Sequence, residues 1–222
     1  RPKSSIRKAT ERPITPPPEP EPEPEPEEDE DIDHVKLNIV EVEKWSEDWN
    51  KWYVSGINSS DTSALMGINR YKSWDELFKQ KLDKIPEKST HELKESAILE
   101  QKALKLYSSK TKRKCSFYSF EDKVNSWMIG TVCMTSDFLH AVEIKFDESS
   151  YWQAKNQHVP PTAYCELQHQ LMLTGLKEID YWCYFKGYDG ILISVDRDDP
   201  YIENLLESEK NLYLKLMQKM AK

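Results

Sequence analysis

The 222-residue sequence lacks long apolar runs, and none approaches the ~20 consecutive residues that a membrane-spanning helix needs. It also lacks a secretory signal peptide. Its four cysteines are scattered and form no C-x-x-C pair; they are Cys115, Cys133, Cys165 and Cys183. This scatter argues against a zinc ribbon and predicts reduced, partly buried thiols in a cytoplasmic protein.

Negative charge is concentrated at the amino terminus. Residues 1–33 contain 11 acidic and 5 basic residues, a net of -6 within the chain's total of -8, together with 9 of the 13 prolines. Their alternating Pro-Glu run cannot bury apolar surface and repels itself, so it predicts a disordered acidic tail. We interpret the tail as a spacer to an upstream domain, which the start at Arg1 favours, with a DNA mimic or a partner-binding tail as the alternative. One domain is expected over residues 34–222.

The pattern of apolar residues predicts helices and strands throughout that domain. The expected helices cover 41–53, 61–66, 73–84, 89–108, 161–174 and 199–220. The expected strands cover 115–120, 125–136, 141–146, 179–185 and 190–195. This order predicts an α/β fold in which a mixed central sheet is flanked by helices on both faces.

One acidic residue occupies an unusual place in the clearest of these helices. Glu100 lies on the stripe that also carries Leu93, Ala97, Leu104 and Tyr107, at helical spacing. A carboxylate among apolar residues needs a partner, because burying an unpaired charge is costly. We therefore expect Glu100 to meet either a salt bridge or a metal ion.

The segment SDFLHAVEIKFD, at 136–147, combines two acids with a lysine. Glu143 and Lys145 are two residues apart in an expected strand, so both side chains project from one face. Asp137 is expected close to Glu143 across a tight hairpin. Two converging carboxylates repel unless a hard divalent cation such as Mg²⁺ joins them. A lysine beside them can offset charge that develops during phosphodiester cleavage.

Taken alone, a Glu-x-Lys pattern also fits an ordinary amphipathic hairpin with a surface ion pair. Two observations favour a nuclease with a PD-(D/E)xK core: the upstream Glu100, and the position of Glu143 between Val142 and Ile144 in a strand expected to be central. No Ser-His-Asp or Cys-His grouping indicates a covalent intermediate, so we expect direct hydrolysis.

Four segments, in order, resemble the phage lambda exonuclease family, the YqaJ-type viral recombinases that include the nuclease end of RecE-like proteins. They are VSGINSSDTSALMGINRYKSWDELFKQK (54–81), KESAILEQKALKLY (94–107), SDFLHAVEIK (136–145) and YCELQHQLMLTGLKEIDYWCYF (164–185). The resemblance spans residues 50–215 and implies a restriction-endonuclease-like PD-(D/E)xK core.

The resemblance also implies roles for individual residues. The residues that it makes catalytic are Glu100, Asp137, Glu143 and Lys145, of which Asp137, Glu143 and Glu100 would hold one or two metal ions. The accessory positions of the active site would be Glu166 and Gln168. The 5′ phosphate of DNA would be bound by Ser60 and Arg70.

The sequence departs from the family pattern at several positions. Only five residues separate Asp137 from Glu143, fewer than is usual, so the hairpin must be short. Glu166 stands where a glutamine is expected. The arginine expected six or seven residues before Ser60 is absent, and Lys51 and Arg70 are the candidates to replace it.

The activity implied is that of a Mg²⁺-dependent deoxyribonuclease, for which Mn²⁺ would substitute. It would degrade double-stranded DNA ends from 5′ to 3′ for phage or prophage recombination in a bacterial cytoplasm. Family members form rings, here a trimer or tetramer, and work with a single-strand annealing protein. Two alternatives stay open: an endonuclease of the same fold, and a non-catalytic DNA- or protein-binding module.

Three further features, a basic run and two histidines, each allow a functional and a structural interpretation. The basic run KTKRK, at 110–114, fits either a phosphate contact or a solvated loop. His140 and His169 have no partner at metal-ligand spacing and are expected to be satisfied or surface histidines.

Overall fold

A computed structural model describes residues 37–86 and 90–221, so the expected tail at 1–33 lies outside the described residues. Within that part, six strands form one mixed sheet and seven helices surround it. The strands are β1 (Leu37–Val40), β2 (Cys115–Asp122), β3 (Ile129–Thr135), β4 (Ala141–Lys145), β5 (Glu178–Cys183) and β6 (Ile191–Asp196). The helices are α1 (Glu47–Ser55), α2 (Thr62–Leu65), α3 (Trp74–Leu82), α4 (Thr90–Thr111), α5 (Glu148–Lys155), α6 (Pro161–Thr174) and α7 (Asp199–Met220).

The strands lie side by side in chain order, and one neighbouring pair, β4 with β5, is parallel rather than antiparallel. β1 to β4 form an antiparallel meander. β5 then pairs parallel with β4, with Lys145 opposite Cys183, and β6 closes the sheet antiparallel to β5. A parallel neighbour requires a long crossover, which α5 and α6 provide. The carboxyl ends of β4 and β5 therefore lie at the same edge of the sheet.

Apolar side chains cover both faces of the sheet, as the sequence predicts. One face packs against α6 through residues that include Val132, Met134, Leu167, Leu171 and Tyr181. The other packs against α4 through Ala103, Tyr107, Cys133, Val142, Ile144 and Trp182. The Trp182 indole donates to the carbonyl of Ala103 at 3.0 Å, which ties α4 to β5.

Local signals place most helix boundaries. Pro161 opens α6, and Gly175 ends it in the left-handed conformation with φ 74°. Ser73 caps α3 in a capping box with Glu76. The expected helix over 41–53 is wrong at its start, because Ser46 caps α1 and Trp45 adopts a positive φ of 73°.

Two short elements, β1 and α5, were absent from the sequence prediction. A strand of four residues is stabilised by pairing with β2 rather than by its own pattern, and eight residues are too few for a helix to stand out. β3 begins at Ile129 rather than 125, since the Asp122 carboxylate accepts the N–H groups of Val124 and Asn125 in a turn.

Two predictions can be compared with the described residues: that the chain has no membrane-spanning helix, and that its cysteines are reduced and partly buried. In residues 37–86 and 90–221 no helix combines the length and the apolar character that crossing a bilayer requires. All four cysteines are free, and three of them are buried.

Candidate active site

A cavity of about 400 Å³ opens at the carboxyl end of β4. It is bounded by the loop before α1, by α1 itself, by α4, by α6 and by the two central strands β3 and β4. The charged and hydroxyl side chains on its wall are Lys44, Tyr53, Ser59, Ser60, Glu92, Glu100, Thr131, Glu143, Lys145, Asp147 and Glu166. The candidate residues of the sequence analysis that reach it are Ser60, Glu100, Glu143, Lys145 and Glu166.

Glu143 and Lys145 form the centre of the site. The two-residue period of β4 puts both on the face that α6 covers, and their Oε1 and Nζ atoms are 3.0 Å apart. From α6, Glu166 also bonds the Lys145 ammonium, and Gln170 donates from Nε2 to Glu143 Oε2 at 2.6 Å. Because Glu166 and Gln170 are four residues apart, one helix face holds both strand residues.

The charges of this cluster are strongly coupled. Burial disfavours the carboxylate form of Glu143, but the ammonium groups of Lys145 and Lys44 and the amide of Gln170 hold its pKa below the usual value. Burial likewise disfavours the charged Lys145, and Glu166 and Glu143 nevertheless raise its pKa well above the usual value. Glu143 and Lys145 are therefore both charged at neutral pH.

Glu100 has the partner that its buried position on α4 requires. The Lys44 ammonium donates to its Oε1 at 2.6 Å, and the Trp45 indole donates to its Oε2 at 2.6 Å. Both partners belong to the loop that precedes α1. Of the two partners that the sequence leaves open for Glu100, a salt bridge or a metal ion, the structure shows the salt bridge.

Asp137 does not lie beside Glu143, and the expected contact across the hairpin is wrong. It follows the end of β3 in an exposed turn, where its carboxylate accepts from the Thr135 hydroxyl at 2.5 Å and from the Leu139 N–H at 3.0 Å. These hydrogen bonds lower the pKa of Asp137. Because the hairpin is short, Asp137 falls in the turn between β3 and β4 rather than on a strand. Its carboxylate stabilises that turn through these two hydrogen bonds. On β3, the residue that reaches the cavity is Thr131.

Gln168 does not reach the cavity either. It is buried beneath β6, where its Nε2 donates to the carbonyl of Asp196 and its Oε1 accepts the N–H of Asp198. Gln170 is the glutamine that contacts Glu143. The four-residue period of a helix, counted from Glu166, could have identified Gln170 in the sequence.

The two candidate phosphate-binding residues differ in whether they reach the cavity. Ser60 lines the cavity, and both its N–H and its hydroxyl donate to the Asn58 side-chain oxygen. Arg70 is exposed after α2 and is absent from the cavity wall. Lys51 is exposed as well, and its Nζ atom lies 3.6 Å from Asp48 Oδ1 on the same helix.

Part of the basic run is engaged in structural contacts. Lys110 donates to the carbonyl of Gly190 at 2.9 Å. Arg113 donates to Asp180 at 2.6 Å, beside the Tyr107 hydroxyl, which bonds the same carboxylate oxygen. These contacts favour a structural role over a free phosphate-binding loop.

The two candidate histidines lie in different surroundings. The backbone N–H of His140 donates to Thr135 in the β3–β4 turn. His169 is fully buried between the Glu209 carboxylate and the carbonyl of Ile129. His169 is therefore a satisfied core histidine, as expected.

The donor chemistry of the cavity fits a hard divalent cation. Glu100, Glu143 and Glu166 supply carboxylate oxygens, and Mg²⁺ is commonly held by one or two carboxylates completed by water and substrate phosphate. In the part of the chain that the structure describes, no three acidic, histidine or cysteine side chains form a ready-made metal cluster. Glu143 together with Glu166 or Glu100 is the donor pair that the cavity offers, and Asp137 is outside it.

The fold, a mixed sheet of six strands flanked by helices, is shared with solved structures. The chain is similar to an alkaline exonuclease from Laribacter hongkongensis, with a TM-score of 0.69 and 14% identity over 79% of this chain and 95% of that one. A complex of that exonuclease with dAMP matches at 15% identity and the same TM-score. A phage-related exonuclease from Haemophilus somnus 129PT matches with a TM-score of 0.52 and 13% identity, over 77% of this chain and 99% of that one.

The family follows from the sequence match. The model of the YqaJ-like viral recombinase domain matches residues 48–177, more than half of the chain. The chain therefore belongs to the YqaJ-like viral recombinase domain family. No curated protein matches it.

Proposed function

We propose that this chain is a divalent-metal-dependent deoxyribonuclease that degrades double-stranded DNA from its 5′ ends. The observation that carries the proposal is the Glu143–Lys145 pair, held from α6 in a cavity at the carboxyl end of β4. An ionised carboxylate beside an ammonium group is the combination that phosphodiester hydrolysis needs, since it can hold a cation and face developing negative charge.

Each residue has a distinct task in this proposal. Glu143 is the main metal ligand, and the Gln170 amide orients its carboxylate by occupying one of its oxygens. Glu166 and Glu100 are the additional carboxylates. When bound, a divalent cation would supply a water of lowered pKa as the nucleophile. Lys145, held by two carboxylates, positions its ammonium toward the phosphate and offsets the charge that develops there.

Several findings support DNA ends as the substrate. The family is described as a viral recombinase domain, and the similar structures are exonucleases, one of them solved with dAMP. Ser60 lies on the wall of the same cavity, and we assign it to the incoming 5′ phosphate. Recombination alongside a single-strand annealing protein, in a ring of three or four chains, belongs to the same proposal.

The test compares 5′-labelled linear duplex DNA with covalently closed circles, each with Mg²⁺, Mn²⁺ or EDTA. We expect loss of the linear DNA alone, dependent on the metal, with early release of labelled mononucleotide. Glu143→Ala and Lys145→Ala should abolish it. Asp137→Ala is the matched control, because it removes a carboxylate that lies outside the cavity and should leave cleavage of the linear DNA unchanged.

Other outcomes of this test would change the proposal in different ways. Cutting of closed circles would indicate an endonuclease of the same fold. Absence of cutting by a folded chain supplied with metal would contradict the enzyme proposal and favour a binding module. Loss of activity in Asp137→Ala, with the fold intact, would show that Asp137 enters the site when DNA binds.

A further inference from the structure

A row of aromatic rings runs along the wall of the cavity at α1. Trp45, Trp49 and Tyr53 follow one another at four-residue spacing, and all three line the cavity. The ring centroids of Trp45 and Trp49 are 5.1 Å apart, and the two rings are tilted by 58°. The centroids of Trp49 and Tyr53 are 4.5 Å apart, and these rings are nearly parallel, at 19°. The row therefore ends in a phenol ring that stacks on its neighbour.

The burial of these side chains separates core packing from surface that a ligand can reach. Trp49 is 3% exposed, and its indole N–H donates to the Thr131 hydroxyl at 2.7 Å, which fixes α1 on β3. Trp52 is absent from the cavity wall, and its indole N–H donates to Glu121 at 2.8 Å. Tyr53, in contrast, is half-buried and lines the wall. Its ring thus adds aromatic surface to the cavity, with Trp49 as rigid support behind it.

Hydrogen bonds join Tyr53 to the turn that carries the two serines of the wall. The buried Asn58 donates from Nδ2 to the carbonyl of Tyr53 at 2.7 Å, and its Oδ1 accepts from the N–H and the hydroxyl of Ser60. The Tyr53 Oη atom lies 3.4 Å from Ser59 Oγ. An aromatic ring and two serine hydroxyls therefore lie side by side on one wall and are held as a unit.

We infer that Tyr53 forms a subsite for a nucleobase, on which the base of the terminal nucleotide stacks while its 5′ phosphate lies at Ser60. The inference rests on the proposed function and deepens it by naming the part of the substrate that this wall binds. A cavity of about 400 Å³ has the size of a small-molecule site, for which ~300–1,000 Å³ is usual. Because every base has an aromatic face, a stacking subsite can hold the end of any DNA sequence.

The test compares two ligands that differ only in the base, dAMP and 2-deoxyribose 5-phosphate. Isothermal titration calorimetry on the full chain with Mg²⁺ should give a Kd for dAMP about 5- to 150-fold lower, which is the effect of stacking one base. Tyr53→Leu should bind the two ligands alike. Tyr53→Phe keeps the ring and should retain the difference. Tyr71→Leu is the matched control, because Tyr71 is 95% exposed and absent from the cavity wall, and it should also retain the difference.

A DNA substrate gives an independent measurement. On a 5′-phosphorylated duplex whose terminal nucleotide lacks its base, the wild type should show a raised KM with little change in kcat, and Tyr53→Leu should treat both kinds of end alike. Base-independent binding and KM in the wild type, or a difference that persists in a folded Tyr53→Leu, would overturn the inference. Metal-dependent cutting by the wild type would then leave the proposed function standing. A wild type that binds neither ligand and cuts no DNA would contradict both.

Discussion

The buried His169–Glu209 pair is predicted to be a point of high sensitivity in this fold. Both side chains are fully buried, with His169 Nδ1 at 2.7 Å from Glu209 Oε1 and Nε2 at 2.9 Å from the carbonyl of Ile129. The pair joins α6 to α7 and to the first residue of β3. Since Gln170 follows His169 directly, the pair also positions the helix that holds Glu143.

The expected magnitude follows from this burial. Burial opposes the imidazolium, but the Glu209 carboxylate and the Ile129 carbonyl raise the pKa of His169. Burial raises the pKa of Glu209, against the effect of His169, and the nearby Asp61 adds to the rise. His169→Leu leaves the Glu209 carboxylate buried without its partner, so it should lower the free energy of unfolding by about 3–5 kcal/mol.

Replacing both residues should recover most of that loss. In His169→Leu with Glu209→Met the buried charges disappear together, and such replacements are often close to neutral. For a domain of this size, the single variant should lower Tm by roughly 2–4 °C per kcal/mol, or about 6–20 °C. Urea unfolding of the wild type and both variants measures these differences directly.

The pH dependence distinguishes charge burial from lost packing. Burial raises the pKa of Glu209 above its ordinary value of 4.5 in the wild type, and His169→Leu removes the imidazole that opposes this rise. Stability is then undiminished below the unfolded pKa and falls as the pH rises through the folded pKa, because the folded state binds the extra proton. The deficit should therefore be larger at pH 8 than at pH 4.5. A deficit that is the same at both values, or a double variant no better than the single one, would refute the reasoning.

Three further predictions concern the site and its surroundings. Gln170→Ala should lower the single-turnover rate of DNA cleavage about 10- to 100-fold, which is the equivalent of a lost charge-assisted hydrogen bond. Gln168→Ala should mainly lower the free energy of unfolding, by about 1–3 kcal/mol. The reverse pattern would contradict the assignment of Gln170 to the site and of Gln168 to the core. The depressed pKa of Glu143 predicts stability that is present above pH 4.5 and lost as the pH falls, so Glu143→Gln should flatten the acid limb of an unfolding curve against pH. Ser73→Ala removes the capping box of α3 and should cost about 1 kcal/mol in urea unfolding, with no change in metal binding.

Much of the fold could be read from local signals in the sequence. The bounds of α6 and α7 agree with the prediction because proline, glycine and a steady apolar period mark them. The pairing of Glu143 with Lys145 on one strand face needed only the two-residue period of a strand. The buried position of Glu100 followed from its place on an apolar helix stripe.

The remaining features depended on distant segments coming together. Asp137 was assigned to the site from an expected contact with Glu143 across the hairpin and from the family motif, and the register of β3 and β4 instead leaves it in the turn. Lys44 lies 56 residues from Glu100 in the chain, so no local period could indicate their contact. The spacing of apolar residues along a helix or strand predicts the face on which a side chain lies. Which carboxylates and ammonium groups share one cavity is decided by how α1, α4 and α6 pack on the sheet, because only that packing removes water from the charges and forces them to pair.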